Sequence, residues 1–133
     1  MNSFNGHIGS IETAGHLSMV GVDIGGIFLY ALVIETPQTA PWLAVGRPVA
    51  ALFKETEVIL GVGGSLPVSI LNRIPGTLTR LEQGTLLSRA VLQAPAGEVT
   101  ALVPTGALTG LGLREQYPAV ALIKTNEVML SPL

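Results

Sequence analysis

The chain contains no cysteine, which excludes disulfides and thiolate metal sites. It is also short of charge. Charged residues make up 12% of the chain and hydrophobic ones 48%, so the charged fraction is about half that of an ordinary globular domain. A small chain this poor in charge cannot clothe itself in solvated side chains. Part of its apolar surface is therefore expected to be covered by another copy of the chain, in a homo-oligomer. Aromatic residues are only 5% and the net charge is −2. The first removes the stacking platforms of single-strand binders, the second the basic stripe of a duplex binder, so no direct nucleic-acid contact is expected. Long hydrophobic runs are missing too. The longest, GGIFLYALVI from Gly25 to Ile34, is about half of what a bilayer requires. No basic segment followed by an apolar core opens the chain, so no secretory signal is read and a cytoplasmic protein without membrane insertion is expected. Ser/His/Asp order, a glycine-rich phosphate loop and a His-Glu zinc motif are all lacking, so the chain does not read as an enzyme. His7 and His16 have no partner at metal-ligand spacing and read as surface residues.

What the chain does have is a copy of itself. Displaced by 70 positions, MNSFNGHIGSIE falls on LNRIPGTLTRLE, pairing Asn2 with Asn72, Gly6 with Gly76 and Glu12 with Glu82. Ala31-Leu32-Val33 falls on Ala101-Leu102-Val103, and Leu43 on Leu113. ALFKETEVIL (Ala51–Leu60) falls on ALIKTNEVML (Ala121–Leu130), with no gap anywhere between. One register held this long marks an internal duplication. The Gly- and Pro-rich stretch GVGGSLPV separates the copies. The expected organisation is a first module over residues 1–61, a linker over 62–68 and a second module over 69–133.

Each copy reads as β-structure. Runs rich in Val, Ile and Leu alternate with Gly, Pro and Asn clusters. The strands expected in the first copy are His7–Glu12, Leu17–Ile24, Phe28–Glu35, Pro48–Phe53 and Glu57–Leu60. Those of the second are Thr77–Glu82, Leu86–Leu92, Glu98–Val103, Ala119–Ile123 and Glu127–Leu130. Gly25-Gly26 and Pro95-Ala96-Gly97 fall at hairpin turns. Residues 37–46 and 105–116 leave room for one short helix or a turn. Five strands with one long connection predict an all-β fold of two tandem OB-like five-stranded barrels. A β-sandwich spread over both copies is the alternative.

The only lysines, Lys54 and Lys124, occupy equivalent positions. Each closes an apolar strand and precedes a polar residue, Glu55 or Thr125. They could face an anion across an interface, or simply end an edge strand and block aggregation. Ser69, Asn72 and Arg73 could offer hydroxyl, amide and guanidinium donors to a tetrahedral oxyanion. Equally, Asn72 could cap a turn while the other two are solvated. Amides near Gly76 or at Thr105-Gly106 could add donors. Trp42 meets Gly112 in the second copy and reads as a packing residue.

The succession SILNRIPG, Leu81-Glu82-Gln83-Gly84, TALV, LGL and ALIKTNEVML resembles the Mop/TOBE family, the molybdate-binding modules called molbindins. The resemblance covers nearly all of both copies, in a di-Mop arrangement. It implies an OB-like barrel per copy, assembly into a dimer or trimer, and molybdate or tungstate held between modules. Carried over by motif, Ser69, Lys124 and Thr125 match the family's oxyanion contacts, and Asn72 matches its asparagine. Leu71 stands where the family commonly has arginine, with Arg73 nearby. The function so implied is molybdenum homeostasis, storage or sensing. The alternative is a regulatory or oligomerisation module of a molybdate-type transporter ATPase or a molybdate-responsive transcription regulator.

Overall fold

The computed structural model describes residues 1–133 and is built almost entirely of antiparallel strands. The first half supplies β1 (Asn2–Ala14), β2 (Leu17–Asp23), β3 (Phe28–Val33), β4 (Pro48–Phe53) and β5 (Ile59–Gly61). The second supplies β6 (Asn72–Gln83), β7 (Leu87–Ala94), β8 (Gly97–Pro104), β9 (Pro118–Ile123) and β10 (Met129–Pro132). One helix, α1 (Thr105–Leu111), lies between β8 and β9.

β1 and β6 begin at Asn2 and Asn72, earlier than the hydrophobic pattern suggests. Their first stretches pair with β4 and β9, and their second stretches with β2 and β7. The hand-over falls at His7 and Thr77, which have a partner on both sides. A register shift follows at once, between Ile8 and Ser10 and between Leu78 and Arg80. Such bulges bend a strand and raise its twist, which curls each sheet towards a barrel. The paired glycines have a cause in this bend. A Cβ on Gly76 would lie 2.5 Å from the carbonyl oxygen of Gln93, and one on Gly6 would strike that of Asp23. Pro75 needs no N–H because this stretch of β6 has only β9 beside it.

The sheet order is the main departure from two self-contained barrels. The two five-stranded sheets run β10-β4-β1-β2-β3 and β5-β9-β6-β7-β8. Each sheet therefore takes four strands from one copy and its fifth from the other. Ile59 pairs with Leu122, and Met129 pairs with Leu52. The core follows the same logic. A single cluster of 28 buried residues joins both halves, with Ile8, Val22, Leu29 and Phe53 from one and Leu78, Leu92, Val99 and Ile123 from the other.

The room left for a helix is used once. Residues 105–111 form α1, which ends at Gly112 in the left-handed conformation (φ 67°). Trp42 takes the equivalent place in a segment of turns and packs, partly buried, against the core. A left-handed residue after the helix favours glycine, whereas the turns of the first half leave an indole free to cover the barrel end.

Candidate functional site

Two asparagines hold the copies together. Asn72 Nδ2 donates to the carbonyl of Tyr30 at 2.8 Å, and the Tyr30 amide donates to Asn72 Oδ1 at 2.7 Å. Asn2 makes the same pair of bonds with Thr100, both at 2.8 Å. Tyr30 and Thr100 lie on β3 and β8, the last strands of their sheets. A primary amide carries a donor and an acceptor side by side, so it mimics a neighbouring strand and closes one rung of a free edge. Both asparagines are buried.

This clamp fixes the segment that precedes it. Ser69, Ile70 and Leu71 lead into Asn72 and form one wall of a pocket of about 170 Å³. Lys124, Thr125 and Asn126 form the second wall, and Met19 from β2 of the first half completes it. Lys124 ends β9. Thr125 begins a 3₁₀ turn, Thr125–Glu127, closed by the Glu127 amide on the Lys124 carbonyl at 3.0 Å. That turn packs on β3 of the other half. Lys124, Ser69, Thr125 and Asn126 thus line the pocket beside three apolar residues, and no acidic residue lines it. A tetrahedral anion finds donors of the right kind there.

The structure therefore brings together Ser69, Lys124 and Thr125, and it separates them from Asn72 and Arg73. The Asn72 amide is spent on Tyr30. The Arg73 guanidinium turns back on the linker: Nε donates to Ile70 O at 3.0 Å, Nη1 to Leu66 O at 2.6 Å and Nη2 to Val68 O at 2.7 Å. Carbonyl partners thus engage three of the five Arg73 N–H groups and one of the two of Asn72. The expected nest at Thr105 is also in use. Its amide donates to Leu86 O and its hydroxyl to Gly84 O, each at 2.9 Å. Lys54 occupies the equivalent place in the first half, at the start of a matching 3₁₀ turn, Glu55–Glu57. Met19, Ile70 and Asn126 were missed by sequence reasoning. Asn126 could have been found as the third residue of the Lys-Thr-Asn run. Met19 had no signal, because only the folded topology places β2 of one copy beside the tail of the other.

Known proteins share this architecture. Residues 68–130 match the TOBE domain. The chain is 31% identical over 133 residues to the molybdenum transport protein ModE of Herbaspirillum seropedicae, an overlap of 98% of this chain and 49% of that protein. It is 32% identical over 108 residues to the molybdenum-pterin-binding protein MopA of Rhodobacter capsulatus, covering 80% of this chain and 41% of MopA. The chain thus spans about half the length, or less, of the curated relatives it matches. Among solved structures, it superposes with a TM-score of 0.91 and 29% identity on the cytoplasmic molybdate-binding protein ModG, in a form with molybdate bound. That match covers 99% of this chain and 96% of ModG.

Proposed function

The chain belongs to the Mop/TOBE family in its tandem form, and from that premise we propose that it is a cytoplasmic protein that binds molybdate or tungstate reversibly, without catalysis. The observation that carries the proposal is the pocket in which Ser69, Lys124 and Thr125 of the second half meet Met19 of the first. A dianion leaving water must recover its hydration from charged and neutral donors. Lys124 supplies the charge, while the hydroxyls of Ser69 and Thr125 and the Asn126 amide supply directed bonds. Asn72 and Arg73 act indirectly. Asn72 anchors the start of β6, and Arg73 folds the linker so that Ser69 faces the turn.

One chain's donors surround only part of a tetrahedral anion, and Lys124 is exposed. A dimer or trimer in which another copy closes the pocket supplies the rest. Binding and assembly are then linked, since a ligand that bridges subunits stabilises the oligomer. The similarity to ModE, of which this chain spans about half, favours a second reading. In it the two repeats form the regulatory part of a longer molybdate-responsive or transport-associated protein, with the same pocket as its sensor.

The test is isothermal titration with molybdate, with tungstate and sulfate alongside. Molybdate binding at micromolar concentration or tighter, absent with sulfate and lost in Lys124→Ala, is expected. No heat and no thermal shift with either molybdate or tungstate overturns the proposal.

A further inference from the structure

The duplication creates two frames of the same geometry, and only one carries the pocket. The backbone is nearly identical at both. Lys54 has φ −72° and ψ 146°, and Lys124 has φ −66° and ψ 144°. The amides of Glu57 and Glu127 close the two turns on the lysine carbonyls at 3.0 Å, and those of Val58 and Val128 donate to the carbonyls of Glu55 and Thr125 at 3.4 Å. Each turn packs on the last hairpin strand of the other half, Glu55–Glu57 on β8 and Thr125–Glu127 on β3. Each is flanked by an asparagine clamp. The first frame has no counterpart of Ser69 and Ile70 in this chain, and the remaining side chains differ. Glu55 stands where the second half has Thr125, Thr56 where it has Asn126, and Arg89 where the first half has Met19.

We propose that residue 55/125 decides whether a frame takes an oxyanion, so that each chain binds one dianion at these frames rather than two. Thr125 offers a hydroxyl to the anion. Glu55 offers only acceptors and a negative charge, in a half-buried position where repulsion is weakly screened. Its carboxylate stands directly beside Lys54 in the chain, where a second anion would be repelled. Arg89 does not restore the balance. It sits directly across the strand pair from Glu82, and its guanidinium lies 3.8 Å from that carboxylate. Its presence in place of a methionine is accounted for by that cross-strand pair.

The inference rests on the anion-binding reading of the Ser69–Lys124–Thr125 pocket, and the experiment separates the two. Molybdate is titrated into the full chain, and the number of anions bound per chain is compared among variants. Lys54→Ala is expected to leave the wild-type number unchanged, and Lys124→Ala to lower it by one. Glu55→Thr is expected to raise it by one, and the added anion should depend on Lys54. Glu55→Gln removes the charge without adding the hydroxyl, and should give a weaker second site. Thermal unfolding of each variant, without ligand, confirms that the fold persists. A wild-type chain that loses an anion on Lys54→Ala overturns the inference. So does a Glu55→Thr variant that gains nothing while Lys124-dependent binding persists. A wild-type chain that takes no molybdate overturns the underlying reading and this inference with it.

Discussion

Asn72 and Tyr30 face each other across the duplication and exchange two hydrogen bonds, at 2.8 and 2.7 Å, between a side-chain amide and a backbone amide. Asn2 and Thr100 repeat the relationship at the opposite end of the pseudo-symmetry. The two clamps tie the starts of β6 and β1 to the edge strands β3 and β8 of the other half.

Replacing Asn72 by alanine strands the N–H and C=O of Tyr30 without partners. A loss of about 2–4 kcal/mol is expected from two unmet polar groups, read as a lower urea midpoint. Asn72→Asp keeps the acceptor for the Tyr30 N–H but sets an oxygen against the Tyr30 carbonyl. It should therefore be no better than alanine. Either variant with wild-type stability would show that the clamp is not needed for folding.

Ser69→Ala and Thr125→Val each delete one hydroxyl facing the pocket and leave the fold intact, since neither side chain is buried. A hydrogen bond to a charged group contributes about 1.5–3 kcal/mol, so each change should weaken molybdate binding about 10- to 100-fold. Titration calorimetry reads the effect. Unaltered affinity in both variants would move the anion away from this pocket.

Severing the linker tests the strand exchange. A protease site inserted at Gly63-Gly64 lies in an exposed segment. After cleavage each fragment still lends its last strand to the other's sheet, β5 to β9 and β10 to β4. The nicked protein should co-elute on size exclusion and separate only in denaturant. We propose residues 1–61 and 69–133 as the units of sequence. Fragments that part under native conditions would make them units of folding as well.

Asp23 gives the fold an acid-sensitive turn. Its carboxylate accepts the amides of Gly25 and Gly26 at 3.0 and 3.1 Å, and His7 stands 4.0 Å away. The Gly25 bond first, then the Gly26 bond, hold its carboxyl below the usual range, with a smaller contribution from His7. A group more acidic in the folded state stabilises it above the unfolded pKa of about 3.9 and loses that contribution as the pH falls through the folded value. Asp23→Asn should flatten the decline in stability below about pH 4 that is due to this residue. An acid limb of unchanged slope in the variant would place the sensitivity elsewhere.

The repeat, the β class, the paired glycines and the closing lysines were all legible along the chain. Each is a local property: a period of alternation, a backbone that tolerates no Cβ, or a residue type at a matched offset. Asn72 and Arg73 have the chemistry of ligand donors. Sequence carries no record of which acceptors lie nearby, and the Tyr30 and linker carbonyls engage part of their N–H groups.

The sequence by itself determined that this protein is a duplicated β-module with one lysine per copy. It also determined that the copies differ at residues 55 and 125. Only the tertiary structure decided that the last strands change places, that Met19 of one half meets Lys124 of the other, and that a pocket forms there. The reason is physical. Strand alternation fixes which face of a strand is apolar, but both copies present nearly the same face. Which sheet receives a given strand is then settled by the shared core and by the clamps that join the halves.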